Sequence, residues 1–283
     1  MTWQLFTFIS VLGLSISVLL QRTLLHKHKT DPFAYAIVFQ AIVGALLLIP
    51  AFVHGFTLDG LEQYLLPATI SVICFGIGHI FYAKTLQRVE ASSFSVLFAT
   101  QAVWTMALGI LLLHESITWA QVAGTVLIFA SVASLAKNLR NVLSDRGIVY
   151  GLITGLLFGI AIYCWSYVGR HVDGVAWAAI SFIATSLVVL LVKPHALWQL
   201  RPLLQPVVFG KLWLLGIFYG LGSLTMLFAY QLGTFAIVSP LRQTSIIVTV
   251  LLALLLLPAE RNRIGRKLLA ATLCTLGVVL IIV

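Results

Sequence analysis

The chain has 283 residues, of which 61% are hydrophobic and only 9% charged, and it carries a formal net charge of +9. A soluble domain holds about a quarter charged side chains, so these proportions exclude a water-soluble globular protein. They make the bilayer the main solvent, and the excess of cations then matters through where each one lies.

A helix needs roughly 20 apolar residues to cross about 30 Å of hydrocarbon. Ten such runs follow one another: Trp3 to Leu20, Phe33 to Phe52, Leu65 to Ala83, Phe94 to Leu113, Trp119 to Ala136, Gly147 to Tyr167, Val175 to Val192, Leu212 to Tyr230, Ala236 to Leu257 and Leu268 to Val283. Asp31-Pro32, Asp173-Gly174 and Arg201-Pro202 punctuate them. Only Met1 and Thr2 precede the first run and no small-residue cleavage site follows it, so it reads as a retained span. Cys74, Cys164 and Cys274 all fall inside runs without metal-ligand spacing and read as packing residues. No cofactor or metal is expected.

The cations are distributed unevenly. Arg22, Lys27 and Lys29 follow the first run; Lys84 and Arg88 the third; Lys137, Arg140 and Arg146 the fifth; Lys193, Arg201 and Lys211 the seventh; and Arg261, Arg263, Arg266 and Lys267 the ninth. Arg170 alone occupies an even loop, and Arg242 lies within a run. By the positive-inside rule the odd loops face the cytoplasm of a bacterial-type plasma membrane, which leaves both termini on the other side. With the charge so placed, nucleic acid is not an expected partner.

The second half resembles the first. An offset of about 146 residues brings Gly13 over Gly159, "FYAKTL" over "LFAYQL", and "QVAGTVLIFASVASL" over "KLLAATLCTLGVVLI". Each copy holds five runs, an odd number, so the second copy enters the membrane from the opposite side. The expected fold is therefore an all-α membrane protein of ten transmembrane helices, built as two inverted five-helix repeats over residues 1–140 and 147–283. "KNLRNVLSDRG" is the linker.

Several side chains stand out against the apolar background. Arg242 places a guanidinium inside the ninth run, where a cation costs a few kcal/mol and marks a water-filled path or a charged partner. Ser239, Ser245 and Thr249 share its helical face. The planar fork suits a carboxylate or other anion; snorkelling to the headgroups is the alternative. Gln101 with Trp104, and His79 with Tyr82, are spaced to share a face, either lining a cavity or bonding between helices. Tyr163, Trp165 and Tyr167 read as an interfacial belt or as cavity lining. Gly151, Gly155 and Gly159 form a stripe suited to close helix packing, as do Gly216 and Gly220. No Asp or Glu falls in the middle of a run, so proton coupling through a buried carboxylate has no carrier, and His79 is the remaining titratable candidate.

The stretches "FYAKTLQRVEASSFSVLFATQAVWTMALGILLLHESITWAQVAG" and "FAYQLGTFAIVSPLRQTSIIVTVLLALLLLPAE" resemble the third-to-fifth and eighth-to-ninth helices of EamA-type members of the drug/metabolite transporter superfamily, each with a helix ending in an acidic residue, here Glu115 and Glu260. Gln243 stands where the family often has Glu, and Phe39-Gln40 where many members have an arginine. The resemblance implies a carrier and no enzyme. It also implies cytoplasmic termini, against which the cation count is preferred.

The expected function is alternating-access movement of a small organic solute, amino-acid-like or otherwise anionic or zwitterionic, with the lipid bilayer and the solute as partners and a homodimer left open. Substrate-binding candidates are Arg242, Gln101, Trp104, His79, Tyr82, Ser245, Thr249 and Tyr163. The alternative is a flippase or exporter of a phosphate-bearing lipid or nucleotide-like metabolite. A membrane-embedded lipid-modifying enzyme would have only His114-Glu115 as an adjacent acid/base pair.

Overall fold

A computed structural model describes residues 2–27, 30–104, 107–108, 118–135, 145–233, 238, 241–242, 244–257 and 264–282. Its bounded α-helices are α1 (Trp3–Lys27), α2 (Pro32–Val53), α3 (Leu65–Arg88), α4 (Ala91–Phe98), α5 (Trp119–Leu135), α6 (Arg146–Gly169), α7 (Gly174–Val192), α8 (Pro206–Leu232), α9 (Ser245–Leu256) and α10 (Ile264–Ile282). There is no strand among the described residues. Among the described residues, seven helices (α1, α2, α3, α6, α7, α8 and α10) are long and apolar enough to span a membrane, while α5 and α9 are shorter apolar helices. The fourth run is interrupted: α4 ends at Phe98, Ala99 and Thr100 form a turn, and residues 101–104 are helical again. The protein is thus a multi-pass helical bundle, and of the ten expected crossings seven have the required length here.

The polar punctuation of the sequence becomes helix starts. Asp31 accepts from the backbone N–H of Phe33 and Ala34 at 3.0 Å each, with Pro32 in the first turn where a missing N–H costs nothing. Asp145 caps α6 through Gly147 N at 2.8 Å, and Asp173 caps α7 through Ala176 N at 2.7 Å.

Packing across the two halves follows a single rule. The principal pairs are α1 with α8, α3 with α6, α2 with α7 and α5 with α10. Exchanging the halves converts α1–α8 into α6–α3 and returns α2–α7 and α5–α10 to themselves. The lesser pairs obey the same exchange, α1–α9 with α4–α6 and α2–α8 with α3–α7. Contacts also fix direction. The Ser186 hydroxyl donates to Ile37 O at 2.8 Å, whereas Gly44, farther along α2, faces Ala179 and Ile183, earlier in α7. The α2 and α7 helices, which hold the same place in their halves, therefore run in opposite directions. In α1 and α8, Ser10 donates to Gly222 O at 2.7 Å while the Phe6 ring lies 5.4 Å from Phe228, again antiparallel. In α3 and α6, Phe75 pairs with Phe158 and Phe81 with Tyr150, with the same result.

Glycines set the closest approaches, where a side chain would hold helices apart. A Cβ on Gly13 would stand 2.8 Å from Phe218 O. Gly124 and Gly277 each face the other's carbonyl oxygen at the α5–α10 crossing. The stripe on α6 serves the same end: Gly151 accommodates Leu97, and Gly155 accommodates Thr100 at the break in the fourth segment.

Candidate functional site

Eight helices, α1 to α4 and α6 to α9, surround a central cavity of about 120 Å³; α5 and α10 contribute nothing to its lining. The two halves supply equivalent walls, as the exchange of helix pairs requires. Rings supply much of its apolar surface. Phe75, Tyr82, Phe94, Phe98 and Phe158 interlock on one side, with Tyr82 and Phe94 centroids 4.4 Å apart, Phe98 and Phe158 5.0 Å, and Phe75 and Phe158 5.3 Å. Phe182 and Tyr219 face each other edge-on at 5.8 Å on another.

The polar groups are few and differ in what they offer. Four lining hydroxyls give their proton to their own helix: Ser17 to Leu14 O at 2.7 Å, Ser95 to Ala91 O at 3.0 Å, Ser181 to Ala178 O at 2.8 Å and Thr185 to Ser181 O at 2.7 Å. Bonding of this kind satisfies the donor inside the bundle and leaves oxygen lone pairs as acceptors. Ser15 ties α1 to α9 through Ser245 O at 3.3 Å. Trp165 donates its indole N–H to Ser181 Oγ at 2.9 Å, which fixes that ring in the wall.

Arg242 lines this cavity, and no other Lys, Arg, Asp or Glu does so among the described residues. Ser245, Ile246 and Thr249 follow it at helical spacing. Gln40, midway along α2, also reaches the cavity; it is 0% exposed, and neither Nε2 nor Oε1 has a hydrogen-bond partner among the described residues. A guanidinium and an open carboxamide are thus brought into one aromatic-walled chamber.

Of the substrate-binding candidates, Arg242, Gln101, Tyr82, Ser245 and Thr249 line the cavity. Tyr82 accepts from Gln21 Nε2 at 3.2 Å, and Gln21 Oε1 accepts from the Tyr35 hydroxyl at 2.9 Å, so a small buried network orients the Tyr82 ring. His79 does not line it. It lies one layer behind, 4.8 Å from Phe158 and 5.9 Å from Tyr82 by ring centroids, with Nδ1–H donating to Phe75 O at 2.8 Å. Trp104, one turn beyond Gln101, and Tyr163 are half-buried and also outside the lining. On α6 the cavity face is Phe158, Ile162 and Trp165, at intervals of four and three, and Tyr163 is turned about 100° away from Ile162. Ser239, Gln243, His114-Glu115 and Glu260 lie outside the described residues. No cluster of three His, Cys, Asp or Glu side chains that could hold a metal occurs among the described residues.

Gln40, Tyr219 and Trp165 are among the lining residues that were not binding candidates. Gln40 carried a signal, being a carboxamide in the middle of an otherwise apolar span. Trp165 read as interfacial belt or cavity lining, and it takes the second place; Tyr219 carried no signal that separates a cavity ring from a lipid-facing one.

A solved structure entitled "Crystal structure of protein" superimposes with a TM-score of 0.64, covering 97% of this chain and 96% of its own, at 19% sequence identity. Such a likeness shows a shared fold. No curated protein matches the chain. The model of the EamA-like transporter family matches twice, over residues 1–136 and 145–283, one match for each half of the bundle. With both halves accounted for, the chain belongs to the EamA-like transporter family.

Proposed function

We propose that the protein carries a small organic solute bearing a carboxylate, amino-acid-like or otherwise anionic, across the membrane by alternating access of the central cavity. The observation that carries this reading is Arg242, the one charged side chain lining the chamber among the described residues. A guanidinium in a low-dielectric site is best satisfied by an anion that meets its planar fork with two hydrogen bonds. A monoanionic group neutralises the site without needing a protein carboxylate. The volume of about 120 Å³ is close to the roughly 150 Å³ of an apolar cavity that holds benzene, and suits a small metabolite better than a nucleotide or a lipid.

Two antiparallel halves around one site supply the motion. If one half rocks against the other, the interface opens first at one face and then at the other without moving the binding groups far. The uneven cation distribution supports placing the odd loops in the cytoplasm of a plasma membrane, with both termini on the opposite side.

Reconstitution into proteoliposomes tests the reading. Radiolabelled small carboxylates and amino acids should accumulate with the wild type. Arg242→Ala should lower transport by at least about tenfold, the loss expected from removing a charge-assisted hydrogen-bond partner. Arg242→Lys should retain part of it, since the charge stays and the fork is lost. Equal transport by the wild type and Arg242→Ala would remove Arg242 from the mechanism.

A further inference from the structure

Gln40 is hard to explain as a structural residue. Polar side chains inside a bundle normally bond to a neighbouring helix, as Ser186, Ser10 and Trp165 do here. Gln40 has such neighbours close by, since Ile37 O one turn earlier accepts from Ser186. The residue nevertheless lines the cavity with both ends of its carboxamide unsatisfied among the described residues, although it is wholly buried. A buried amide without partners lowers stability, and an apolar side chain of the same length would not carry that cost. Just before it, Phe39 stacks on Tyr35 and meets Tyr219 edge-on at 5.0 Å, so the backbone leading into Gln40 is held by packed rings.

Resting on the carrier reading above, we propose that Gln40 is a specificity-determining residue that recognises a neutral group presenting a hydrogen-bond donor and acceptor side by side, such as a carboxamide, on the same solute whose carboxylate meets Arg242. The chemistry is complementary. Gln40 offers one acceptor and two donors on adjacent atoms, and only a group with the reverse pattern answers both. The lining hydroxyls that donate to their own helices are acceptors toward the chamber and cannot replace the donor half of that pattern. The two anchors come from different parts of the lining: Gln40 from α2, and Arg242 from about one turn before α9. A solute held at both ends, with its carbon body against Phe98, Phe158 and Phe182, fits this arrangement.

The test uses purified full-length protein and isosteric ligand pairs of two lengths: malonamate against 3-methylbutanoate, and succinamate against 4-methylpentanoate. Each pair exchanges a carboxamide for an isopropyl group and keeps the carboxylate. By isothermal titration, the wild type should bind the carboxamide of at least one pair about tenfold or more tightly than its isostere, because the isostere leaves the amide of Gln40 unpaired. In Gln40→Met the preference should shrink to within about twofold while affinity for the isostere is kept. Arg242→Ala should weaken both members of the pair. Without any ligand, Gln40→Met or Gln40→Leu should melt at least about 2 °C above the wild type, since an unsatisfied buried amide is gone. An unchanged preference in Gln40→Met, or no preference in the wild type, overturns the proposal. So does a lower melting temperature, or failure of both variants to fold, because either shows that the amide supports the bundle itself. Absence of any carboxylate binding by the wild type defeats the carrier reading for Arg242, and the ligand-free melting comparison then still decides the role of Gln40.

Discussion

The crossing of α5 and α10 offers a quantitative check on the packing. Gly124 and Gly277 meet there with each Cα directed at the other's backbone, and a Cβ on Gly124 would collide with Gly277 O and come to 3.0 Å from Ile281 N. Backbone atoms cannot rotate away as a side-chain tip can, so the helices would have to separate. The upper part of the overpacking range applies, about 3 kcal/mol. Alanine recovers about 1 kcal/mol of helix propensity over glycine, leaving Gly124→Ala destabilised by about 2 kcal/mol. Gly210, in the second turn of α8, has nothing within 4 Å of an added Cβ, so Gly210→Ala should be stabilised by up to about 1 kcal/mol. Thermal unfolding of the purified variants, followed by tryptophan fluorescence, should place Gly124→Ala about 4–8 °C below the wild type and Gly210→Ala level with or above it. Equal melting temperatures for the two variants would refute the close approach.

Other outcomes follow from single bonds. Asp31 caps α2 and pairs with Lys193 Nζ at 3.1 Å, so Asp31→Ala should cost about 1–2 kcal/mol and Asp31→Asn, which keeps a capping oxygen, less; thermal unfolding separates them. Trp165→Phe removes the indole N–H that Ser181 accepts, and should weaken solute affinity more than it lowers the melting temperature, because the wall ring is then free to turn. Tyr35→Phe breaks the relay through Gln21 to Tyr82 and should lower stability by about 1 kcal/mol, with the Gln21 carboxamide left short of one partner.

Much of this architecture is written in local chemistry. Long apolar runs separated by Asp-Pro and Asp-Gly steps can only be helices when the solvent is lipid, and Asp31 and Asp173 cap where those steps predict. The odd number of runs per half already requires opposite directions, and the contacts between α2 and α7 display them. The fourth and ninth segments were harder to read. Both read as continuous apolar runs, yet α4 stops after Phe98 at a turn where Thr100 donates to Leu97 O and lies against Gly155, and hydropathy does not register that break. The site was legible where a polar group interrupts an apolar face, as at Arg242, Ser245 and Thr249. Among the aromatic candidates, Tyr82 lines the cavity while Trp104 and Tyr163 do not. Tyr163 and Trp165 are two residues apart and similar in composition, and only the phase of α6 against α7 puts Trp165 inward, where Ser181 receives it. His79 with Tyr82 shows the same limit, since one turn of α3 separates a packed second layer from the cavity wall.

The central claim is a single chamber between antiparallel halves that opens to each side in turn. It is tested most directly with Ser223→Cys, a half-buried lining position, in a variant whose three native cysteines are replaced, reconstituted in sealed vesicles. A membrane-impermeant thiol reagent should modify this cysteine when applied from either face, and a saturating carboxylate solute should slow both reactions. Modification from one face only, at a rate the solute does not change, would contradict it.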